Sequence, residues 1–183
     1  MVRFCGENGD RKAAHNYMDT LPAIIDLEAS GFGKGSYPIE VGFVLPEGAI
    51  FCTLIVPPPH WNHWDVRAEH VHHITREILH AHGKAAPEVA RALNQQLRGT
   101  TIYSDGWAND FSWLSLLFDE AEMSPAFKLD NLRTLLTEAE ADAWHTCKEK
   151  VLADLNVSRH RASTDAKVLQ LTLKRLREGK ASA

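Results

Sequence analysis

Long apolar runs are missing from this chain of 183 residues. No stretch approaches the roughly 20 consecutive apolar residues that a membrane-crossing helix needs. The first 20 residues are polar and mixed in charge, without the apolar segment of a signal peptide. Cysteine is scarce as well. Cys5, Cys52 and Cys147 are odd in number and far apart, which suits neither a disulfide framework nor a C-x-x-C metal site. Their pattern fits a reducing, cytoplasmic setting. Positive charge is also in deficit, with a net charge of −4. That argues against a protein that coats long nucleic acid with a basic surface, but not against one that gathers acids around a metal. Repeats, low-complexity tracts and linkers are absent.

What is present is the material of one globular domain. The chain is 44% hydrophobic and 24% charged, long enough for a substantial core. Residues 1–20 show no periodicity and are expected to be a flexible leader, leaving residues 21–180 as the domain. The apolar run Ala23 to Leu27 predicts a buried strand. Residues 37–45 predict a second, with Ile39, Val41 and Phe43 alternating with Glu40 and Gly42. The turn signal Pro46-Glu47-Gly48 and a third strand over 49–56 make a hairpin with it. Pro57-Pro58-Pro59 ends that strand.

Seven histidines follow between His60 and His82. His70, His72 and His73 invite a zinc site, but no cysteine accompanies them; surface or packing histidines are the plainer reading. Pro87 opens a helix over 88–97, and residues 100–104 form a short strand. Residues 109–118 read as a helix with Phe111, Leu114, Leu117 and Phe118 inward. A strand over 127–129 and helices over 131–136 and 138–155 come next. A last helix, capped by Ser163, runs to about residue 177 with Val168, Leu169, Leu173 and Leu176 inward. Its basic residues (Lys167, Lys174, Arg175 and Arg177 among them) make either a solvated face or a phosphate-facing edge. The pattern is an α/β domain: three early antiparallel strands, then alternating helices and strands.

Chemistry is concentrated in Ile24-Ile25-Asp26-Leu27-Glu28-Ala29-Ser30-Gly31. On a strand, Asp26 and Glu28 project from one face. Two such carboxylates repel each other unless a proton or cation sits between them, and oxygen ligands favour hard cations such as Mg2+ or Mn2+. An exposed strand face can also carry two acids, so D-x-E alone decides nothing. Farther on, Asp110 opens a mid-chain helix after a strand. His160-Arg161-Ala162-Ser163-Thr164-Asp165-Ala166 then places a histidine in a loop and an aspartate in the first turn of the last helix.

Taken together, these segments resemble the DEDDh 3′-to-5′ exonuclease family. Asp26-Leu27-Glu28-Ala29-Ser30-Gly31-Phe32 matches its first motif. Asn109-Asp110-Phe111-Ser112-Trp113-Leu114 is similar to the second, and His160-x-Ala162-x-x-Asp165-Ala166 matches the third. Val71-His72-His73-Ile74-Thr75 is similar to its V-H-G-I-T segment. Two departures stand out: Asp105-Gly106 in place of the usual His-Asn, and His73 in place of a glycine. The resemblance implies an RNase H-like fold, a central mixed five-stranded sheet flanked by helices.

It also implies a hydrolase that removes nucleoside 5′-monophosphates from single-stranded DNA or RNA 3′ ends with two divalent cations, Mg2+ or Mn2+. Asp26, Glu28, Asp110 and Asp165 would be the metal ligands. His160 would be the general base, since imidazole titrates near neutrality. Ala29, Phe32 and His72 would contact the terminal nucleotide, although core packing is an equal reading of Phe32; Trp107 and Trp113 are read as packing residues. Size and acidity favour short oligonucleotides, and the family suggests a homodimer. The rival readings are a proofreading exonuclease that works beside a DNA polymerase and an RNase H-like module that binds ends without cleaving them.

Overall fold

The computed structural model describes residues 20–157 and 160–181. The leader expected over residues 1–20 thus lies outside the described residues except for Thr20, as do Cys5 and Arg159. In chain order the elements are β1 (Ala23–Ala29), β2 (Pro38–Val44), β3 (Ile50–Leu54), α1 (Val66–His72), α2 (Arg76–His82), α3 (Ala86–Leu97), β4 (Thr101–Ser104), α4 (Trp107–Glu120), β5 (Lys128–Asn131), a 3-10 turn (Leu132–Leu135), α5 (Glu138–Leu155) and α6 (Ala162–Ala181).

The five strands lie in the order β3-β2-β1-β4-β5. The first three are antiparallel, while β1, β4 and β5 are parallel, so the expected mixed sheet is present. Parallel neighbours cannot be joined by a tight turn; α1 to α3 make the crossover from β1 to β4, and α4 makes the one to β5.

Strand periodicity sorts the two faces. Ile25, Leu27, Ile39, Val41 and Phe43 point into a core shared with Val89 and Leu93 of α3 and Leu114 and Leu117 of α4. Ile24 and Val44 point the other way, against Ala166, Leu169 and Leu173 of α6. Asp26 and Glu28 share this second face, opposite Gly42 and Glu40 of β2 in the antiparallel register. Gly42 matters for what it lacks. A Cβ there would lie 2.2 Å from the Ser163 backbone nitrogen and 2.6 Å from the Ala162 carbonyl carbon. Only a glycine lets the start of α6 rest directly on the strand beside Asp26.

Several local expectations are corrected. Phe111 is 49% exposed: α4 packs its apolar stripe from Trp113 onward, and periodicity cannot show where neighbouring elements stop. Asn131 to Leu136 is not an α-helix. Asn131 stays in the β5 ladder opposite Ser104, and its side-chain oxygen accepts from the Arg133 N–H at 2.9 Å to start a single 3-10 turn. Ser163 is not the cap of α6 but lies within its first turn; the Ala162 N–H instead donates to the Glu40 carboxylate at 2.8 Å. The histidine-rich stretch contains two short helices that polar composition concealed. Asp65 caps α1 and Thr75 caps α2. By contrast, α5 has the expected bounds: a capping box between Thr137 and Glu140 fixes its start, and Asn156 in the left-handed conformation, φ 47°, ends it.

Gly42→Ala therefore brings a side chain into the α6 backbone. We expect a stability loss of about 1–3 kcal/mol or more, as for overpacking in a core. Urea denaturation followed by circular dichroism would show it, and an unchanged midpoint would contradict this packing.

Candidate active site

Three elements bring the acids together. β1 supplies Asp26 and Glu28 near its C-terminal end, and α4 supplies Asp110 from its first turn. Asp110 is 2% exposed, and the Ser104 hydroxyl at the end of β4 donates to its Oδ2. α6 supplies Asp165, whose Oδ2 accepts from the His160 backbone N–H at 2.8 Å. His160 adopts a left-handed backbone, φ 65°, which turns the chain into α6. Its imidazole, Glu28 and Asp165 each offer a ligand atom, all within 4.8 Å of one another. Asp26, Glu28, Asp110 and His160 line a single cleft of about 670 Å³. The sequence-predicted acids and histidine thus converge.

Their electrostatics are those of a site built for cations. Removal from water, followed by the charges of Asp110, Glu28, Asp165 and Asp105, holds the Asp26 carboxyl well above the usual carboxylate range. Burial pushes Glu28 up to about 8; Asp165, Glu40 and Asp110 add to the shift, and Arg161 opposes it. Burial also pushes Asp110 up to about 7, against the Ser104 hydrogen bond and with help from Asp105. Like charges gathered in low dielectric must be protonated or neutralised by a cation. Four carboxylates with an imidazole beside them are donors that fit Mg2+ or Mn2+.

The cleft walls include the three residues expected to contact a nucleotide, Ala29, Phe32 and His72. Phe32 is 71% exposed, so it is not a core residue; its ring leans on Trp113 at 5.7 Å and 46°. Trp113 is buried as expected but also lines the cleft, while Trp107 is 37% exposed and stacks on Phe111. The backbone that presents Phe32 is tightly held. Ser30 exchanges backbone hydrogen bonds with Tyr37 and Asp65. A Cβ at Gly31, φ 139°, would come within 2.7 Å of the Asp65 Cβ. His72 is 3% exposed, and its Nδ1 accepts from the Ile74 N–H at 3.0 Å. In the neutral ring the proton is therefore on Nε2, a buried atom that makes no regular hydrogen bond, its nearest acceptor being the Ala29 backbone. His73, standing where the family resemblance expects glycine, has φ 57° at the C-terminal cap of α1. Glycine is the usual residue in that conformation.

Sequence reasoning missed two ion pairs around the site. Glu40, fully buried, takes Arg161 Nε at 3.0 and 3.2 Å. Lys148 of α5 reaches Asp105 at 2.9 Å. The first had only a weak signal, Glu40 among the apolar residues of β2: once buried, a carboxylate must be paired. No local signal marks Lys148, which lies 43 residues from its partner.

No family model matches this chain, and no curated protein matches its sequence. Solved structures do match. A zinc-bound complex of E. coli exonuclease I with single-stranded DNA aligns with a TM-score of 0.65 at 14% identity, over 85% of this chain and 40% of that one. Exonuclease I, in a structure addressing how processivity is achieved, gives 0.66 at 13% identity over 86% and 40%. E. coli exonuclease I with a dA16 oligonucleotide gives 0.61 at 13% identity, again over 86% and 40%. The chain spans about two fifths of the length of these proteins. The likeness establishes the fold, which is RNase H-like.

The carboxyl shifts predict a pH dependence. Glu28 moves from 4.5 to about 8 and Asp110 from 3.8 to about 7, so both hold protons in the folded chain that the unfolded chain has released. Metal-free stability should therefore fall as pH rises from the ordinary carboxylate range through about 7 to about 8, and level off above. Added Mn2+ should reverse the trend, because binding displaces those protons. Melting curves in EDTA and in Mn2+ across this range would check it; a metal-free melting temperature that rises with pH would refute it.

Proposed function

We propose that this chain is a metal-dependent 3′-to-5′ exonuclease of the DEDDh type. It acts on single-stranded nucleic acid, best on short oligonucleotides, and releases nucleoside 5′-monophosphates. The observation that carries the reading is the convergence of Asp26, Glu28, Asp110, Asp165 and His160 from three elements and a loop, on a fold shared with exonuclease I. One of the exonuclease I structures is a complex with single-stranded DNA and another with a dA16 oligonucleotide, which favours DNA as the first substrate to test, with RNA beside it.

Asp26, Glu28, Asp110 and Asp165 would hold two divalent cations. Such ions, when bound, neutralise charge on a phosphodiester and make water a stronger nucleophile at neutral pH. The chain's own groups do the rest. Phe32 and the wall bearing His72 hold the terminal nucleotide, Phe32 by stacking without regard to sequence. The Nε2–H of His72, which makes no regular hydrogen bond, is a donor for an oxygen or ring nitrogen of that nucleotide. His160 accepts the proton of the attacking water as its oxygen bonds to phosphorus. The bond from phosphorus to the 3′ oxygen of the penultimate nucleotide breaks, and that oxygen takes a proton from solvent. A strand one nucleotide shorter and a nucleoside 5′-monophosphate result.

Digestion of 5′-labelled DNA and RNA oligomers with Mg2+, Mn2+ or EDTA tests this directly. The expected result is a metal-dependent ladder shortening from the 3′ end. Asp26→Asn should abolish it, and His160→Ala should slow it about 10²–10⁴-fold. Phe32→Ala should weaken substrate binding by about 1–3 kcal/mol. An intact strand under every metal would leave an end-binding module as the better reading.

A further inference from the structure

We infer that Glu40 and Arg161 form a clamp that positions His160 for catalysis. The inference rests on the nuclease reading and adds two residues to it, neither of which touches substrate.

Glu40 sits on β2, directly across from Glu28 in the register, and is fully buried. Its charge adds to the field that raises Glu28, yet its carboxylate oxygens are engaged by the start of α6. Arg161 approaches both oxygens through Nε at 3.0 and 3.2 Å and one of them through Nη2 at 2.5 Å. The Ala162 N–H completes the set at 2.8 Å. A guanidinium fork and a backbone N–H on one carboxylate fix direction as well as distance.

The fixed residues adjoin His160, where the backbone takes the left-handed conformation, φ 65°. A non-glycine residue is costly in that conformation and persists only where its surroundings over-determine it. On one side of His160, its N–H is tied to Asp165; on the other, Arg161 and Ala162 are tied to Glu40. α6 has a second anchorage, the close contact of Ala162 and Ser163 with Gly42. The clamp and this packing meet at Ala162, so losing the clamp loosens the turn that carries the imidazole while the packing at Gly42 still holds the helix that carries Asp165. Arg161 is half exposed, so changing it leaves no cavity, but it strips the buried Glu40 of its charged partner; Glu40→Gln and the paired variant remove that charge as well.

The test compares Glu40→Gln, Arg161→Gln and His160→Ala, singly and paired, on a labelled DNA oligomer with Mn2+. Glutamine keeps the shape at position 40 and removes the charge. Each clamp variant should lose about 10–100-fold in kcat, as for other residues that orient reacting groups, with KM little changed. In the His160→Ala background the same changes should cost almost nothing, because the group they position is gone. Both residues also act on the charge of Glu28, so Mn2+ affinity, measured by calorimetry without substrate, should change far less than kcat, and kcat should stay low at saturating Mn2+. Equal losses with and without His160, full recovery of kcat at saturating Mn2+, or wild-type kcat in folded Arg161→Gln would each overturn the proposal. A wild-type chain that cleaves nothing would sink the nuclease reading itself, and the same assay shows that before any variant is compared.

Discussion

Mutual repulsion among carboxylates is the constraint around which the rest of this structure is arranged. Asp26, Glu28, Asp110 and Asp165 come from β1, α4 and α6 and meet at one site, where burial and neighbouring charge hold the carboxyls of Asp26, Glu28 and Asp110 above the usual range. Left alone, those three would take up protons, and the elements would move apart. The fold prevents the second by burying the elements that carry them: β1 is the central strand of five, and α6 lies across its face. Protonation of the buried carboxyls relieves the repulsion where no cation does, and the proposed metal binding would relieve it in the same place.

β2 is the element that makes the crowding possible. Two of its residues on the site-facing side serve opposite purposes. Gly42 offers no side chain, so α6 can approach to backbone contact beside Asp26. Glu40 offers a charge, which Arg161 and the Ala162 N–H absorb. Neither substitution by an apolar residue nor a swap of the two would serve. A buried ion pair of this sort seldom adds net stability; its value here is the direction it imposes on the chain next to His160.

The other wall of the cleft answers a different need. An exposed Phe32 standing on Trp113, and a buried His72 whose donor makes no regular hydrogen bond, are both unfavourable in an isolated domain. An apolar ring loses by facing water, and a buried N–H loses by lacking a well-placed acceptor. Both deficits lie in the cleft that the acids share, and a stacked, oxygen-rich ligand would remove both.

Much of this was legible in the chain alone. Asp26 and Glu28 fall two apart on an apolar strand, so their shared face follows from the period of a strand. The start of α5 follows from Thr137 and Glu140, a local exchange of hydrogen bonds. The motif around His160 carried the histidine and Asp165 together because they are five residues apart. Other features depend on distance through space. Phe111 has the spacing of a core residue, yet only the positions of the neighbouring elements leave it in solvent. Glu40 looked like the polar half of an alternating strand until α6 covered it. The sequence by itself determined the periodicities of the main elements and the identity of the acids, since those rest on residues a few positions apart; the cap of α6 depended on Glu40 from a distant strand. Only the tertiary structure decided which acids meet, which carboxylate is clamped and which aromatic ring faces the cleft, because burial and like-charge repulsion depend on segments brought together from across the chain.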